Sequence, residues 1–371
     1  MNNSGKSILE TITQEIRLPQ INADACVHSL CQESDCNACV IACPTEAWLL
    51  DNAQLGLDID ACNGCGLCIP ACPVGALHID FPWVIRSLGY RMVALFACEQ
   101  SDIKASNGII PCLHDLGVRQ LLQLYKGGIE TLLVTSGDCL NCHLSDCLSD
   151  PLSGMEENLF SRVKQLNSLL LERDKQPIKL LQNSAKVWHK IYSSDETINC
   201  GMQLSRRNFL RGGGQKIREQ LVIIDPLNLP EYRTIPPGQL LPETENNTLK
   251  WISVPDIDKT QCNGCDACIR ICPSDALQLI YNKDNQPQYS IEAVNCTACG
   301  LCTSVCQEEA VSITHWSYVQ TKKINLSETR CTACGNEFHY PKEHLQTKHS
   351  QSLCRICREH NHSNNLFQVL E

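Results

Sequence analysis

The sequence predicts an α+β fold that is divided into several small domains. The chain of 371 residues contains 27 cysteines, against 5 Trp, 8 Tyr and 6 Phe, so cysteines outnumber the aromatic residues that usually anchor a core. A twelve-residue run at 62–73, CNGCGLCIPACP, returns as CNGCDACIRICP at 262–273. Strand and helix patterns fill the segments between these runs. Length alone suggests two or three domains, and the cysteine spacing indicates that several are organised around metal.

The two runs belong to an internal repeat with four copies, arranged as two pairs over 23–82 and 251–318. After the last cysteine of each copy come a recurring Ala and alternating apolar residues, as in CPTEAWLL, CPVGALHI, CPSDALQL and CQEEAVSI. The alternation predicts a short strand. Pro44, Pro73 and Pro273 suit a first helical turn, so we expect the last cysteine to open a short helix. Each pair of copies predicts one compact α+β domain.

The spacing C-x2-C-x2-C-x3-C-P is the one in which thiolates hold [4Fe-4S] clusters, and the fourth cysteine of each run ligates the partner cluster. We therefore expect two clusters in each domain. The predicted ligands in the first domain are Cys31, Cys36, Cys39 and Cys72 for one cluster, and Cys62, Cys65, Cys68 and Cys43 for the other. Those in the second domain are Cys262, Cys265, Cys268 and Cys306 for one cluster, and Cys296, Cys299, Cys302 and Cys272 for the other. On these motifs, both domains resemble the bacterial-type two-[4Fe-4S] ferredoxin family.

Two positions depart from the pattern of that family. Four residues separate Cys31 from Cys36, and this spacing alone would suit a plant-type [2Fe-2S] site. The arrival of Cys43 three residues after Cys39 favours the bacterial type, but Cys26 remains an alternative to Cys31 as ligand. The fourth run has Gln307 where a proline usually stands.

The segment 88–150 predicts a small α/β domain. RMVALFACEQ indicates a strand ending at Cys98, a helical pattern follows Cys112, and IETLLVTSGDCLNC indicates a second strand, so the order is βαβ. Cysteines at the carboxyl ends of parallel strands converge at the ligand edge of a sheet. An additional iron-sulfur centre would draw on Cys98, Cys112, Cys139, Cys142 and Cys147. Small buried cysteines filling a core are the alternative. The motifs ACEQ, PC and GDCLNC resemble the iron-sulfur domain of hydrogenase- and heterodisulfide-reductase-associated subunits.

Residues 155–200 predict a helical connector, and 201–250 predict a linker that is rich in proline towards its end. The linker contains LSRRNFLRGGG, which matches a twin-arginine export motif at Ser205, Arg206, Arg207, Phe209 and Leu210. Because no apolar stretch follows, we do not expect export. The segment resembles the uncleaved Ser-Arg-Arg segment of accessory ferredoxins that serve molybdenum enzymes. That resemblance implies docking to a molybdoenzyme or its chaperone, and a basic linker before a Gly hinge is the alternative.

The carboxyl-terminal segment 325–371 predicts a zinc ribbon. CTAC at 331–334 and CRIC at 354–357 have the spacing of a closed site with four thiolates, Cys331, Cys334, Cys354 and Cys357. Rubredoxin-type iron is the alternative. The nearby histidines are expected to be exposed loop residues rather than ligands. They are His339, His344, His349, His360 and His362.

Charge limits the classes of partner. The net charge is −10, and residues 1–82 and 251–318 carry −8 and −5 of it, which disfavours nucleic acid and favours a basic protein surface. The stretch 1–22, a predicted tail, has no signal-peptide core, and no run of about 18 apolar residues follows. We therefore expect a cytoplasmic protein without a membrane span and with reduced thiols.

No catalytic motif is recognisable: paired carboxylates, a nucleophile elbow, a Walker loop and a dinucleotide fingerprint are all missing from the sequence. We therefore expect that the protein is not an enzyme. The resemblance to ferredoxins implies an electron carrier for a redox protein partner, namely a molybdopterin oxidoreductase such as formate dehydrogenase or nitrate reductase. The alternative is a maturation adaptor for a twin-arginine-exported molybdoenzyme. A redox-sensing regulator that binds nucleic acid is disfavoured by the acidic charge.

Overall fold

The structure, a computed structural model, describes residues 18–51, 54–79, 83–88, 91–105, 107–142, 158–193, 197–198, 235–244, 249–344 and 353–360. The predicted features outside these residues are most of the tail, Cys147, the twin-arginine-like residues Ser205, Arg206, Arg207, Phe209 and Leu210, and most of the linker. The chain divides into two compact units. One comprises Met1–Ser29 and Asn37–Asn246, and the other comprises Leu30–Cys36 and Asn247–Glu371.

The cysteine-repeat region of the first unit consists of short helices and two small antiparallel strand pairs. Strand β1 pairs with β4, and β2 pairs with β3. The strands predicted after the recurring Ala are confirmed as β2 and β4. The bounds are β1 Gln20–Ile21, β2 Trp48–Asp51, β3 Gln54–Leu57, β4 Leu77–His78, α1 Val27–Leu30, α2 Ala38–Ile41 and α3 Cys68–Ala71.

The prediction that the last cysteine of a run opens a helix is wrong. Helix α3 ends before Cys72, which has an extended backbone with ψ 110°. Cys272 follows its helix in the same way, with ψ 108°. Both residues precede a proline, whose ring drives the preceding residue out of the α region. The proline therefore marks the end of the helix rather than its first turn.

A mixed sheet forms the rest of the first unit. Its strand order is β10-β5-β6-β8-β9, with β7 beside β6. Strands β6 and β8 are parallel and joined by α4, which confirms the predicted βαβ order. The bounds are β5 Val84–Leu88, β6 Arg91–Cys98, β7 Ile109–Ile110, β8 Ile129–Thr135, β9 Lys179–Gln182, β10 Thr197–Ile198, α4 Val118–Lys126, α5 Leu159–Glu172 and α6 Ala185–Tyr192.

The stretch predicted as a helical connector contributes two strands to this sheet as well as α5 and α6. Strand β9 has four residues, too few for a period to be recognised in the sequence. Trp188 of α6 is fully buried in a core with Leu95 of β6 and Leu133 of β8. Each such side chain contributes about 1.5–3 kcal/mol on burial. This core fixes the carboxyl edge of the sheet, where Cys98 ends β6.

The second unit contains two sheets. Strands β11 and β14 form an antiparallel pair, and β12-β13-β15-β16 form a four-stranded antiparallel sheet. The predicted ribbon therefore joins the repeat domain through the pairing of β13 with β15. The bounds are β11 Lys250–Ile257, β12 Leu277–Tyr281, β13 Pro287–Ile291, β14 Val311–Tyr318, β15 Lys323–Arg330, β16 Glu337–Pro341, α7 Ala267–Ile271, α8 Leu301–Ser304 and α9 Arg355–His360.

None of the described helices is long and apolar enough to cross a lipid bilayer. The cysteines that the structure describes form no disulfide.

Candidate metal centres

The second unit brings the third cysteine run together with the last cysteine of the fourth run. Burial raises the pKa of Cys262 to about 11, and the thiols of Cys265 and Cys306 contribute to the increase. Burial also raises the pKa of Cys268, and the neighbouring thiols of Cys262 and Cys306 contribute to the increase. Such buried thiols keep their protons unless a metal takes the place of the proton. The set suits metal ligation.

The fourth run is paired in the reverse direction. Burial raises the pKa of Cys296 and of Cys302 to about 12, and Cys272 of the third run contributes to both increases. Burial is the main cause of the raised pKa of Cys299, and the Cys272 thiol adds to it. Each run thus supplies its last cysteine to the neighbourhood of the other three-cysteine loop, which is the arrangement of two-cluster ferredoxin runs.

Every fourth cysteine accepts a hydrogen bond at sulfur from the recurring Ala. The N···S distances are 3.3, 3.2, 3.2 and 3.2 Å for the donors Ala47, Ala76, Ala276 and Ala310. The residue before each Ala has a positive φ, which turns the chain so that the Ala N–H points back at the sulfur. These residues are Glu46, Gly75, Asp275 and Glu309. Hydrogen bonds to sulfur are one determinant of the reduction potential of a cluster, and the sequence pattern gave no indication that the recurring Ala makes this contact.

In the first unit, Cys43 lies near the loop of the second run. Burial raises the pKa of Cys65 to about 12, and the thiols of Cys43 and Cys62 contribute. Burial raises the pKa of Cys68 as well, with Cys65 and Cys39 among the contributing thiols. This set follows the same crossed arrangement as the second unit.

The division of the chain assigns Cys31 and Cys36 to the second unit, whereas Cys39 and Cys72 belong to the first. Cys36 donates its backbone N–H to Ser34 Oγ at 3.3 Å. Cys26 and Cys31 are both half-buried. The ligand set of Cys31, Cys36, Cys39 and Cys72 stays a prediction.

An arginine that the sequence did not single out lies beside Cys72. Arg119 of α4 donates to the carbonyl oxygens of Cys72, at 3.2 Å, and Pro73, and to that of Ile235 at 3.2 Å. Burial of its guanidinium lowers the pKa of Arg119 to about 10, and the Cys72 thiol opposes this shift. No carboxylate within the described part of the chain pairs with it. A cation in this position would stabilise negative charge on a cluster that Cys72 ligates.

A buried carboxyl group, also missed by the sequence, lies beside the second cysteine run. Asp115 is 2% exposed, and neither of its carboxyl oxygens has a hydrogen-bond partner among the described residues. Burial raises the pKa of Asp115 well above its ordinary value, although Arg162 opposes the shift. Its charge contributes to the raised pKa of Cys65 and of Cys68.

Four of the five cysteines predicted for the middle centre come together at the carboxyl edge of the sheet. Burial raises the pKa of Cys112 to about 12, with Cys98 and Cys142 among the contributing groups. Burial also raises the pKa of Cys139, and the same two thiols add to this increase. Gly137 donates its N–H to Cys98 Sγ at 3.1 Å. The fifth, Cys147, lies outside the described residues.

The four ribbon cysteines form the tightest thiol group in the described chain. The sulfurs of Cys331, Cys334, Cys354 and Cys357 all lie within 4.8 Å of one another. Cys334 Sγ and Cys354 Sγ are 3.8 Å apart. Sulfurs around a tetrahedral zinc ion with Zn–S bonds of about 2.3 Å would be about 3.8 Å apart. Burial raises the pKa of Cys331, but backbone N–H groups of Cys334 and Cys354 outweigh it and lower the pKa overall. The group fits one tetrahedral ion.

The expectation that the nearby histidines are exposed loop residues is wrong for two of them. His339 lies in β16 with its side chain 15% exposed, and its Nε2 is 2.8 Å from Asp266 Oδ1. His344 is half-buried, with Nδ1 2.9 Å from the Thr260 carbonyl oxygen. His360 is in α9, and His349 and His362 lie outside the described residues. The sheet that joins ribbon and repeat domain buries the first two.

Comparison with known proteins gives two family matches. Residues 261–310 match the 4Fe-4S dicluster domain, and residues 56–78 match the 4Fe-4S binding domain. The chain therefore contains two regions of 4Fe-4S ferredoxin type.

Three relatives share parts of the chain. An uncharacterised ferredoxin of Methanocaldococcus jannaschii is 33% identical over 54 residues, which are 14% of this chain and 87% of that protein. The pyruvate synthase subunit PorD of Methanothermobacter marburgensis is 32% identical over 62 residues, 17% of this chain and 64% of the subunit. An uncharacterised protein of Methanothermobacter thermautotrophicus is 44% identical over 71 residues, 19% of this chain. The chain spans only 15% of the length of that last relative.

Proposed function

Since this chain belongs to the ferredoxin family, we propose that it carries electrons through four [4Fe-4S] clusters, two in each repeat domain. The observation that carries the proposal is the reciprocal exchange of Cys272 and Cys306 between the two cysteine loops of the second unit. A cluster bound by such a set accepts and releases single electrons. The residues of the chain bury the thiols and direct the Ala276 and Ala310 N–H groups at sulfur.

Metal analysis of the anaerobically purified protein tests this proposal. We expect about sixteen iron and sixteen sulfide per chain from these four clusters, with about two or four more iron if the middle centre described below is filled, together with low-temperature EPR signals of reduced cubane clusters. The variant Cys306→Ser should lose about four iron, whereas Ser304→Ala, at a half-buried position of α8 that is not a predicted ligand, should lose none. A colourless protein, or one containing only zinc, would contradict the proposal.

The ribbon holds one structural zinc ion in this proposal. Four thiolates at the spacing of a single ion support zinc, because a closed tetrahedral site with four sulfur ligands is typical of structural zinc. Rubredoxin-type iron is the competitor and would add one iron and a distinct EPR signal. Zinc analysis separates the two.

An additional iron-sulfur centre in the middle sheet is part of the proposal. The support is the convergence of Cys98, Cys112, Cys139 and Cys142. Cys112 also packs with Cys65 and Leu67 of the second cysteine run, so electrons could pass between the two sites over a short distance. The double variant Cys98→Ser and Cys142→Ser should lose about two or four iron, for a two- or four-iron centre. Unchanged iron content would leave these cysteines as core residues.

The partner in this proposal is an oxidoreductase with a basic docking surface, met in the cytoplasm. The net charges of −8 over 1–82 and −5 over 251–318 support electrostatic docking to such a surface. PorD, a subunit of pyruvate synthase, is a relative, which supports delivery to an oxidoreductase. The Ser205–Leu210 segment favours a molybdopterin enzyme, with formate dehydrogenase or nitrate reductase as the first candidates.

A maturation adaptor for a twin-arginine-exported molybdoenzyme is the second candidate, and the same segment favours it. The double variant Arg206→Ala and Arg207→Ala separates the two. An electron carrier keeps reducing its partner enzyme at the wild-type rate, whereas an adaptor loses partner activation while its clusters still titrate normally. The measurement is partner activity alongside an EPR redox titration.

A further inference from the structure

The ribbon strand β16 packs directly onto one of the two cysteine loops of the second unit. Gly264 lies between Cys262 and Cys265 with φ +76°, and the His339 carbonyl oxygen occupies the space that a Cβ on Gly264 would need. The equivalent residue of the other loop is Ala298, which has the same left-handed conformation with φ 60°. The loop geometry therefore tolerates a Cβ. Gly264 is required because β16 covers this loop.

A hydrogen-bonded group ties the same loop to the ribbon. Asp266, which precedes Cys268 by two residues, accepts hydrogen bonds at Oδ1 from Tyr289 Oη at 2.7 Å and from His339 Nε2 at 2.8 Å. Asp266 and His339 have side chains only 13% and 15% exposed. Both donors therefore meet at one largely buried carboxyl oxygen of the loop.

The ribbon helix α9 reaches the same loop through Glu308. Asn263 Nδ2 donates to Glu308 Oε1 at 2.8 Å, and Arg358 of α9 lies 3.5 Å from the same oxygen. Beneath these contacts, Ile324 and Leu326 of β15 are buried in one core with Cys262 and Cys268. The same core also includes Cys302 of the loop 296–302. The hydrogen bonds from the ribbon described above, and the close approach of its backbone at Gly264, are made to the loop 262–268.

We propose that the ribbon is a cover for the cluster bound by Cys262, Cys265, Cys268 and Cys306, and that the metal of the four-thiol site holds this cover closed. The proposal rests on the cluster assignment of the proposed function. Cys331 and Cys334 stand between β15 and β16, and Cys357 lies in α9, one residue before Arg358. One ion therefore fixes both ribbon elements that contact the loop. Solvent exposure and hydrogen bonding set cluster potentials, so this cover makes the two clusters of one domain unequal.

The test uses the full-length, anaerobically loaded protein and three changes in the cover. The double variant Cys354→Ser and Cys357→Ser removes the ribbon metal, Gly264→Ala displaces β16, and His339→Ala removes the donor to Asp266. The matched control is Glu337→Ala, an exposed position on β16. Loss of iron on exposure to air and the midpoint potential of each cluster by EPR are the measurements.

We expect about four iron atoms per chain to be lost several-fold faster in each cover variant, with a shifted midpoint potential for one of the four repeat-domain clusters. His339→Gln, which keeps a donor, should behave as the wild type, and so should Glu337→Ala. If zinc is absent from the double cysteine variant and His339→Ala is folded, yet every cluster bleaches and titrates as in the wild type, the proposal is wrong. Failure of the proposed function would look different, because the wild-type protein itself would then contain far fewer than the roughly sixteen iron atoms of four clusters.

If Gly264→Ala does not fold, His339→Ala against His339→Gln decides the question alone. Both replace a partly buried side chain outside the cluster loops. A difference between them in the loss of one cluster supports the cover, and identical behaviour overturns it.

Discussion

The carboxyl group of Asp115 lies against the α-carbon of Gly66, so that a Cβ on Gly66 would be 2.7 Å from Asp115 Cγ. Gly66 lies between Cys65 and Cys68 with φ +77°. The equivalent residue in the second unit is Asp266, also left-handed with φ 61°. Both units therefore place a carboxyl group at this loop position. One is part of the loop, and the other is supplied by the segment that follows Cys112.

Gly66→Ala should destabilise the protein more than Gly300→Ala. Both glycines have a positive φ, at +77° and +79°, but a Cβ on Gly300 meets only Thr303 Oγ1 at 3.9 Å. Each variant bears the backbone cost of about 1–3 kcal/mol, and Gly66→Ala adds about 1–3 kcal/mol for the clash with Asp115. Thermal unfolding of the cluster-loaded variants measures the difference. Equal unfolding midpoints would show that Asp115 can move aside at no cost.

Asp115→Asn should change how stability depends on pH. Burial raises the pKa of Asp115, so the folded protein binds a proton that the unfolded chain has released above about pH 4. Stability then falls as pH rises from there towards the folded pKa. The groups that face this carboxyl group are the guanidinium of Arg162 and three thiols, those of Cys65, Cys68 and Cys112.

The asparagine variant cannot ionise, so this fall is removed. We expect the stability of Asp115→Asn relative to the wild type to increase between pH 5 and pH 8, measured by chemical denaturation at each pH. A constant difference across that range would contradict the raised pKa of Asp115.

Arg119→Met should lower the midpoint potential of the cluster that we propose Cys72 ligates. Reduction adds negative charge, which the guanidinium stabilises, and the variant also leaves the Cys72 and Pro73 carbonyl oxygens without their donor. The loss of these hydrogen bonds should cost about 1–3 kcal/mol of stability. Arg119→Lys keeps the charge and is the control. An EPR titration in which methionine and lysine variants share the wild-type potential would contradict this role.

Cys31→Ser should reduce the iron content by about four atoms, and Cys26→Ser should leave it unchanged. The two residues compete for the same ligand position in the first run, and only the ligand is needed to hold the cluster. Iron and sulfide analysis of the two variants decides between them. The reverse result would make Cys26 the ligand.

Short-range spacing determined the cysteine sets. The four runs, the ribbon pairs and the strand after each recurring Ala could be recognised because a cluster loop or a zinc knuckle uses residues that are close in sequence. Cys98, Cys112, Cys139 and Cys142 could be linked for a related reason, since a βαβ order brings strand ends to one edge. The sequence predicts a helix that begins at Cys72, whereas the structure has one that ends just before it. A proline is compatible with both arrangements, so the sequence does not distinguish them.

Only the tertiary structure decided which distant side chains surround these sets. Arg119, Asp115 and His339 are 47, 49 and 75 residues from Cys72, Gly66 and Gly264, and no local pattern marks them. Strands β13 and β15 pair although the fourth cysteine run, α8 and β14 lie between them in the sequence, so the ribbon could not be recognised as part of the second domain. Ligand spacing is a local property of the chain, whereas the charge, burial and hydrogen bonding around each sulfur depend on contacts that exist only once the chain is folded.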